Sequence, residues 1–348
     1  MDNQHLFDDI VKQLQQKYTK IDQDTDDHLY GLLYSKPITY WDYIQTDALL
    51  SLQIQRTTLP DEMVFIAYHQ INELIFKMIL WEIQQVAEKE ELNAVFFESK
   101  IMRISRYFDM LTTSFNIMRE GMEIEQYMKF RYTLTPASGF QSAQYRLIEF
   151  ASTELINLID YRFRKTIDRN TPFEHAFEHL YWQAAGKDYK TGKKSTLLVN
   201  FEKRYKDDFI RFMQTYNTKN LWSRFKELPK EDQEDKDLVK AMRHFDYTVN
   251  VTWVMAHYNA ARLKELPKED QEDKDLVKAM RHFDYTVNVT WVMAHYNAAR
   301  HYIESGTGDG EATGGSDWKK YMHPKYQKRI FFPELWTEQE LENWGENI

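Results

Sequence analysis

Along most of the chain the apolar residues recur at intervals of three and four rather than alternating, the spacing that lines one side of an α-helix. That pattern predicts a short helix near Asp8–Tyr18, a polar linker holding Asp22 to Asp27, and a helix from about Tyr40 or Asp47 with Thr46 or Asp47 as its N-cap. A longer helix is expected over Asp61–Leu92, where Phe65, Ile66, Ile71, Leu74, Phe76, Ile79 and Ile83 leave little polar surface and imply burial on all sides. Further helices are expected over Ala94–Arg119, Ile124–Tyr132, Gln141–Asp168, Pro172–Ala185 and Leu197–Thr215. The stretch Tyr321–Ile348 is rich in aromatics and closes on a short acidic helix. Glycine and proline number only 11 and 8, and hairpin dipeptides between alternating apolar runs are absent. The fold class is therefore all-α.

One segment occurs twice. Lys226–Arg262 recurs without a difference at Lys264–Arg300, 38 positions downstream. Solenoid repeats diverge and number three or more, so two identical copies read as a recent duplication, an engineered insertion or an error in the recorded sequence, and not as a repeat architecture. Each copy opens with a charged, proline-bearing stretch of solvated character and ends in a helix.

Composition narrows the chemistry. The net charge is −9, which argues against a nucleic-acid binder working through a basic surface. With no cysteine, zinc–thiolate sites, iron–sulfur clusters and a thiol nucleophile are excluded. The opening residues lack the basic and apolar regions of a signal peptide, and no unbroken apolar run approaches a membrane span, so a cytoplasmic protein without a membrane partner is expected.

Several constellations could carry chemistry. His69 and Glu73 share a helical face with Phe65, so His69 is a core histidine bonded to a neighbour, a general base facing a pocket, or a metal ligand paired with Glu73. Trp291-Val-Met-Ala-His295 is followed by Ala298 and Ala299, and the same run stands at Trp253–His257. Alanines beside a histidine would let a flat cofactor approach the helix, and they would equally suit helix packing. Arg131, at the end of a helix before a proline-broken loop, offers a fork for a carboxylate or an ordinary salt bridge. The glycine cluster Gly306–Gly315 lacks the Gly-Lys-Ser/Thr of a phosphate loop and reads as a flexible cover or a linker. Tyr40-Trp41-Asp42-Tyr43-Ile44 packs three aromatics into four positions.

In this order the elements resemble the tryptophan 2,3-dioxygenase family. The matching pieces are Tyr-x-Asp-Tyr at Tyr40–Tyr43, His-Gln-x-x-Glu-Leu at His69–Leu74, Phe-Lys-x-Ile-Leu-Trp-Glu at Phe76–Glu82, and Leu-Thr-Pro-Ala-Ser-Gly-Phe-Gln-Ser at Leu134–Ser142. Trp-x-x-x-His at Trp291–His295 and Thr-Gly-Gly-Ser at Thr313–Ser316 complete the set. The resemblance implies a helical bundle with a haem b pocket, usually a homotetramer, that uses O2 to open the indole C2–C3 bond of L-tryptophan and gives N-formylkynurenine. Carried over by position, His295 is the ligand to ferrous haem iron and His69 bonds the indole N–H. Arg131 pairs with the substrate carboxylate, Thr313 holds its amino-acid end, and Phe65 and Tyr127 line the pocket. Ser138 lies near the haem propionates, while Tyr40, Tyr43 and Ile44 reach a neighbouring subunit's site. Tyr127 stands where the family often has Phe, Trp41 replaces a small residue, and Asp317-Trp318 replaces Ser-Gly.

The family carries one copy of the duplicated helix. Residues 36–348 are thus expected to form one catalytic domain after an N-terminal helix and linker, 1–35, with 226–262 an inserted duplicate of 264–300. Keeping the helix unbroken past His301 favours His295 as the ligand, with His257 taking its place if the first copy is the native one. On that reading the first copy is extruded, and Phe245, Val249 and Trp253 are exposed or covered by a partner. A non-haem His69/Glu73 metalloprotein, a catalytically silent helical assembly and an indole monooxygenase on the same scaffold remain the alternatives.

Overall fold

A computed structural model describes residues 3–134, 141–160, 162–188, 191–256 and 337–343, with single positions between 281 and 297. The chain divides into two compact units, Met1–Glu265 and Leu266–Ile348, and the division falls at the start of the second copy of the repeat. Among the described residues every regular element is helical, the extended pairings being two isolated bridges, Ile159 with Leu180 and Lys187 with Lys194.

The first unit opens with α1 (Asn3–Thr19) and α2 (Thr25–Leu32). Part of the expected linker is therefore helical, because the Asp24 carboxylate accepts from the Asp26 N–H at 2.8 Å and caps α2. Two single-turn helices follow, α3 (Tyr40–Ile44) and α4 (Thr46–Leu50), broken at Gln45 in the left-handed region. The long pair α5 (Asp61–Glu88) and α6 (Ala94–Glu120) lies at the centre, α6 capped by the Asn93 side chain on the Phe96 N–H. Then come α7 (Ile124–Phe130), a 3-10 turn (Arg131–Leu134), α8 (Ala143–Ser152) and α9 (Phe173–Phe177). The last elements of the unit are α10 (Thr196–Tyr216), α11 (Leu221–Glu227), α12 (Lys230–Gln233) and α13 (Lys236–Tyr247). A π-helical turn (Thr248–Thr252) then leads into the helical residues 253–256. In the second unit Thr337 and Glu340 form a capping box at the head of the acidic helix Glu338–Glu342, and Arg281 pairs with Glu340.

Two expected helices are shorter than the pattern implied. The Gln141–Asp168 stretch is helical only to Ser152, followed by a 3-10 turn (Leu155–Leu158). Beyond it Asp160 N–H donates to the His179 carbonyl at 2.9 Å, and Arg164 Nε donates to the Ile159 carbonyl at 3.0 Å, so tertiary partners take the backbone groups a helix would use. Pro172–Ala185 likewise becomes α9 and a 3-10 turn (Tyr181–Gly186) around the Ile159–Leu180 bridge.

The core has two main parts. One gathers Ile79, Ile83, Ile101, Phe108, Ile148 and Phe245 from α5, α6, α8 and α13; the other gathers Phe150, Ile159, Phe177, Leu198 and Phe209 around α10. By length and composition α5 could cross a membrane, yet it is the spine of the first core. Burial on all its sides, expected from its composition, is corrected by the structure: Tyr68, Asn72, Ile75, Ile79 and Ile83 face inward at helical spacing, while Ile71, Leu74, Met78 and Trp81 face out, Trp81 at 62% exposure. The Glu82 side chain, last residue of the Phe76–Glu82 motif, is buried and accepts from Lys100 Nζ at 2.6 Å, and Lys100 also donates to Gln85 Oε1 at 2.7 Å.

The extruded first copy is also corrected. Phe245 and Val249 are each 6% exposed, and Trp253 packs on the same core, its ring centroid 4.7 Å from Tyr145 and 6.1 Å from Phe76. The reason is the apolar stripe Leu238, Ala241, Phe245, Val249, which gains far more by lying on α6 than it would in water.

Lys100→Ala should leave the buried Glu82 with only the longer ionic contact to the half-exposed Arg103, at 3.4 Å, and lower unfolding stability by about 3 kcal/mol. Glu82→Leu with Lys100→Met should recover most of that loss, as read from urea midpoints.

Candidate functional site

The N-terminal half of α5 is fixed from three sides by its own polar residues. Glu62 is buried, and its carboxylate accepts the Arg56 N–H at 3.1 Å and the Thr57 N–H and hydroxyl at 2.6 Å each. These donors hold the Glu62 carboxyl below its ordinary range despite burial, which acts the other way. Asp61 accepts the Glu123 N–H at 2.6 Å and its own N–H donates to Gln126 Oε1 at 3.2 Å, tying the start of α5 to the start of α7. Arg56 Nη1 reaches the Thr133 carbonyl at 3.2 Å, just past Arg131. Within the His-Gln-x-x-Glu motif, Gln70 Nε2 donates to the Leu52 carbonyl at 3.0 Å. Gln144 Nε2 of α8 donates to the Glu73 carboxylate at 2.8 Å and to its carbonyl at 2.7 Å.

Between these fixings lies a cluster of rings. Phe65 and His69, one turn apart on α5, have centroids 4.0 Å apart. Phe130 meets Phe65 edge-on at 5.5 Å and Tyr127 edge-on at 5.5 Å, while Tyr127 lies 6.3 Å from Phe65. Tyr68 stands edge-on to His69 at 5.5 Å and carries the contact onward to Phe115 at 6.1 Å, whose ring is 5.9 Å from Trp253. Helix 253–256 of the first repeat copy is thereby joined to the histidine helix through aromatic neighbours, with Trp253 and Ala256 packed on Tyr68 and Phe115.

His69 has a defined protonation pattern. Its Nδ1 lies 2.7 Å from the Phe65 carbonyl, which can only accept, so Nδ1 carries the proton and Nε2 presents a lone pair. The side chain keeps an open edge to solvent, but the surrounding protein desolvates the ring and lowers its pKa below the usual histidine value. The Phe65 carbonyl and the Glu73 charge pull weakly the other way. The site therefore holds a neutral imidazole with an acceptor nitrogen at neutral pH.

Arg131 follows α7 at the rim of the cluster. Its guanidinium lies 5.7 Å from the Tyr127 ring and makes only a long contact, 3.8 Å, to the Met128 sulfur. Among the described residues it has no carboxylate partner. Tyr40, Tyr43 and Ile44 are exposed on α3, Tyr43 at 76%, and stand apart from the ring cluster. Ser138, His257, His295 and Thr313 lie outside the described residues. Two open clefts accompany these elements. One of about 400 Å³ is bounded by Glu73, Gln144, Tyr205 and Phe209, a turn beyond His69; another of about 240 Å³ lies between Glu154, Ile167, Phe173 and Asn217, away from the rings. Among the described residues no three His, Asp or Glu side chains are grouped so as to hold a metal ion, and Glu73 is engaged by Gln144. The His69/Glu73 metal reading thus gains no support.

Phe130, Tyr68 and Glu62 were not singled out from the sequence. Phe130 is fully buried beside Arg131 and is the ring that joins Phe65 to Tyr127. Its position as the last residue of an aromatic-bearing helix was the available signal, but that signal does not separate a pocket wall from ordinary packing.

The family profile of tryptophan 2,3-dioxygenase matches residues 31–340, nearly the whole chain. The chain belongs to the tryptophan 2,3-dioxygenase family. Its resemblance to individual members is more local. It is 40% identical over 119 residues to the tryptophan 2,3-dioxygenase of Ruegeria sp. (strain TM1040), covering 34% of this chain and 42% of that protein. It is 39% identical over 124 residues to tryptophan 2,3-dioxygenase B of Danio rerio, covering 32% and 30%. For the tryptophan 2,3-dioxygenase of Bacillus thuringiensis (strain Al Hakam) the match is 37% over 121 residues, covering 34% and 42%. The aligned stretch thus spans less than half the length of these relatives. The family's all-helical character agrees with the fold described above.

His69 should titrate below its ordinary value near 6.5 in a histidine-detected NMR pH series, and Glu73→Gln should move it lower still by removing a favourable negative charge. Because the folded pKa is depressed, the unfolded chain binds the proton more readily. The stability this residue contributes is therefore present above about pH 6.5 and lost as the pH falls below it.

Proposed function

We propose that the chain is a haem-dependent dioxygenase that opens the indole C2–C3 bond of L-tryptophan with O2 and releases N-formylkynurenine. The observation that carries this reading is the lone pair on His69 Nε2, set in a wall of Phe65, Tyr68, Tyr127 and Phe130 with an unpaired arginine at the rim. Such a wall buries an indole ring, and the lone pair accepts the indole N–H, so the ring is held by its one polar edge. Arg131, free of a protein carboxylate among the described residues, pairs with the substrate's own carboxylate through two parallel bonds. By its place in the family's Thr-Gly-Gly-Ser motif, Thr313 is the residue assigned to the substrate's amino-acid end.

The residues present fit a haem. The cysteine-free chain leaves histidine as the natural iron ligand, and the aromatic neighbours between α5 and helix 253–256 suit a flat apolar macrocycle. The ligand comes from a Trp-x-x-x-His run. The first copy's place in the core supports His257, and His295 is the counterpart in the second copy. Ser138, by its place in the family motif, would be the residue near the propionates. When bound, the haem supplies the iron chemistry that makes O2 reactive toward a closed-shell substrate. The chain's own part is to fix the indole edge-on to His69, keep its N–H bonded, and exclude water with Phe65, Tyr127 and Phe130. Both oxygen atoms enter the product, so no external reductant is consumed. The exposure of Tyr40, Tyr43 and Ile44 supports their insertion into a neighbouring subunit's site within a homotetramer.

Reconstituted with haem, reduced, and mixed with L-tryptophan in air, the protein should show a Soret band and form N-formylkynurenine. A protein that takes up no haem, or takes it up without forming this product, overturns the proposal. Arg131→Ala should cut kcat/KM for tryptophan by about 10- to 100-fold, mainly through KM, with the Soret band intact, since a charge-assisted bond of roughly 1.5–3 kcal/mol is lost.

A further inference from the structure

Across the end of α9 runs a spacing that the ring cluster around His69 does not use. His175-Ala176-Phe177-Glu178-His179 sets two imidazoles four positions apart, and His-x-x-Glu-His is an order in which metal enzymes place two ligands beside a general base. The two rings meet, their centroids 5.0 Å apart and their planes at 73°. With a nitrogen–metal bond of about 2.1 Å, two imidazoles on one tetrahedral ion have centroids about 5 Å apart. The fold makes no other use of the inner ring's acceptor. His69 bonds the Phe65 carbonyl, whereas His179 Nδ1 is buried and has no hydrogen-bond partner among the described residues. The His175 side of the pair is exposed, which gives an ion a way in.

The backbone that carries the two rings is fixed in advance. Ala176 and Phe177 between them belong to the second core, the His179 carbonyl accepts the Asp160 N–H at 2.9 Å, and the His179 N–H donates to the Ala176 carbonyl at 3.0 Å. Burial lowers the His179 pKa, and the charges of His175 and Lys187 lower it further, against the opposite pull of Glu178 and Asp160. Its ring is therefore neutral at neutral pH, the form that ligates. We propose that His175 and His179 form a binding site for a divalent transition-metal ion of the zinc class, held by one nitrogen of each ring and completed by water. Glu178 is neither a third ligand nor a base. Its carboxylate accepts from Lys194 Nζ at 2.6 Å and Lys206 Nζ at 2.5 Å; burial raises its pKa, but the two ammonium groups outweigh that and bring it down to about 2. Asp160 is likewise engaged, by the Arg162 guanidinium at 2.6 Å. With two protein ligands in place of the three of a catalytic zinc site, the pair binds an ion and performs no hydrolysis. The bound ion staples the last turn of α9 to the residues that follow it, within the stretch 153–186 where the helices end early.

The test is a calorimetric titration of Zn2+ alone into the full-length, untagged protein, stripped with a chelator beforehand. It should show a saturable site, and the ion should raise the unfolding midpoint by about 5 °C at a hundredfold excess over the dissociation constant. His175→Ala, a change at an exposed position, should weaken that site by at least about tenfold. His179→Gln should do the same with the helical circular dichroism unchanged. His28→Ala, which removes a ring bonded to Gln23, should leave the site as it was. Near about pH 5 the ion should be released, because ligation needs both rings unprotonated. A titration with no saturable site, one that His175→Ala leaves unchanged, or one that His28→Ala weakens equally overturns the proposal.

Discussion

The structure depends on α5 serving as the spine of the core and the floor of the site at once. A helix turns about 100° per residue, so when Tyr68, Asn72, Ile75, Ile79 and Ile83 face inward, His69 stands at the border of the buried stripe. It is too enclosed to hold a charge comfortably and too open to be packing alone. The neighbouring turn supplies the constraint, the Phe65 carbonyl, which fixes the tautomer and leaves the free lone pair on Nε2. Polar residues that look out of place on so apolar a helix do the remaining work. Glu62, Gln70, Glu73 and Glu82 each anchor a different neighbour, respectively the 56–57 turn, the end of α4's loop, α8 and α6.

Charge follows the same logic. Glu82 and Lys100 are buried together and satisfy one another, as do Asp160 and Arg162 at the edge of the second core. Glu149, buried as well, is pushed above its ordinary pKa by burial, though Arg146 and the Tyr181 hydroxyl hold it on two sides. Against this background of matched charges, Arg131 stands out by ending at a ring and a sulfur. A guanidinium beside a ring cluster, without a carboxylate partner among the described residues, is an economical way to recognise a carboxylate that arrives with its own flat ring.

The duplicated segment shows how little a sequence says about which of two equal claims succeeds. Reasoning from helix continuity placed the first copy outside the core, because breaking a helix after its ligand looked costly. The first copy nevertheless fills the surface of α6, since it follows α11 directly and reaches the core through a short connection. Proximity along the chain outweighed continuity beyond the histidine, and the π-helical turn before Trp253 lets that ring reach Tyr145.

The helical class, the α5–α6 pair and the family motifs were legible because period-3.6 apolar spacing and scarce glycine are local properties of the chain. So were Phe65, His69, Tyr127 and Arg131 as a set, through the family resemblance, although α6 separates α5 from α7 along the chain. Helix ends in 153–186 were not legible, because His179, Ile159 and their partners draw backbone groups away through contacts distant in sequence. Nor was the outward face of α5, as composition counts apolar residues without saying which side is covered. The sequence by itself determined the chemistry of the groups: a neutral-prone histidine, aromatic rings, a guanidinium and no thiol. Only the tertiary structure decided that Phe130 closes the ring cluster and that the first copy of the repeat lies in the core. Burial and ring-to-ring contact arise only when distant segments meet.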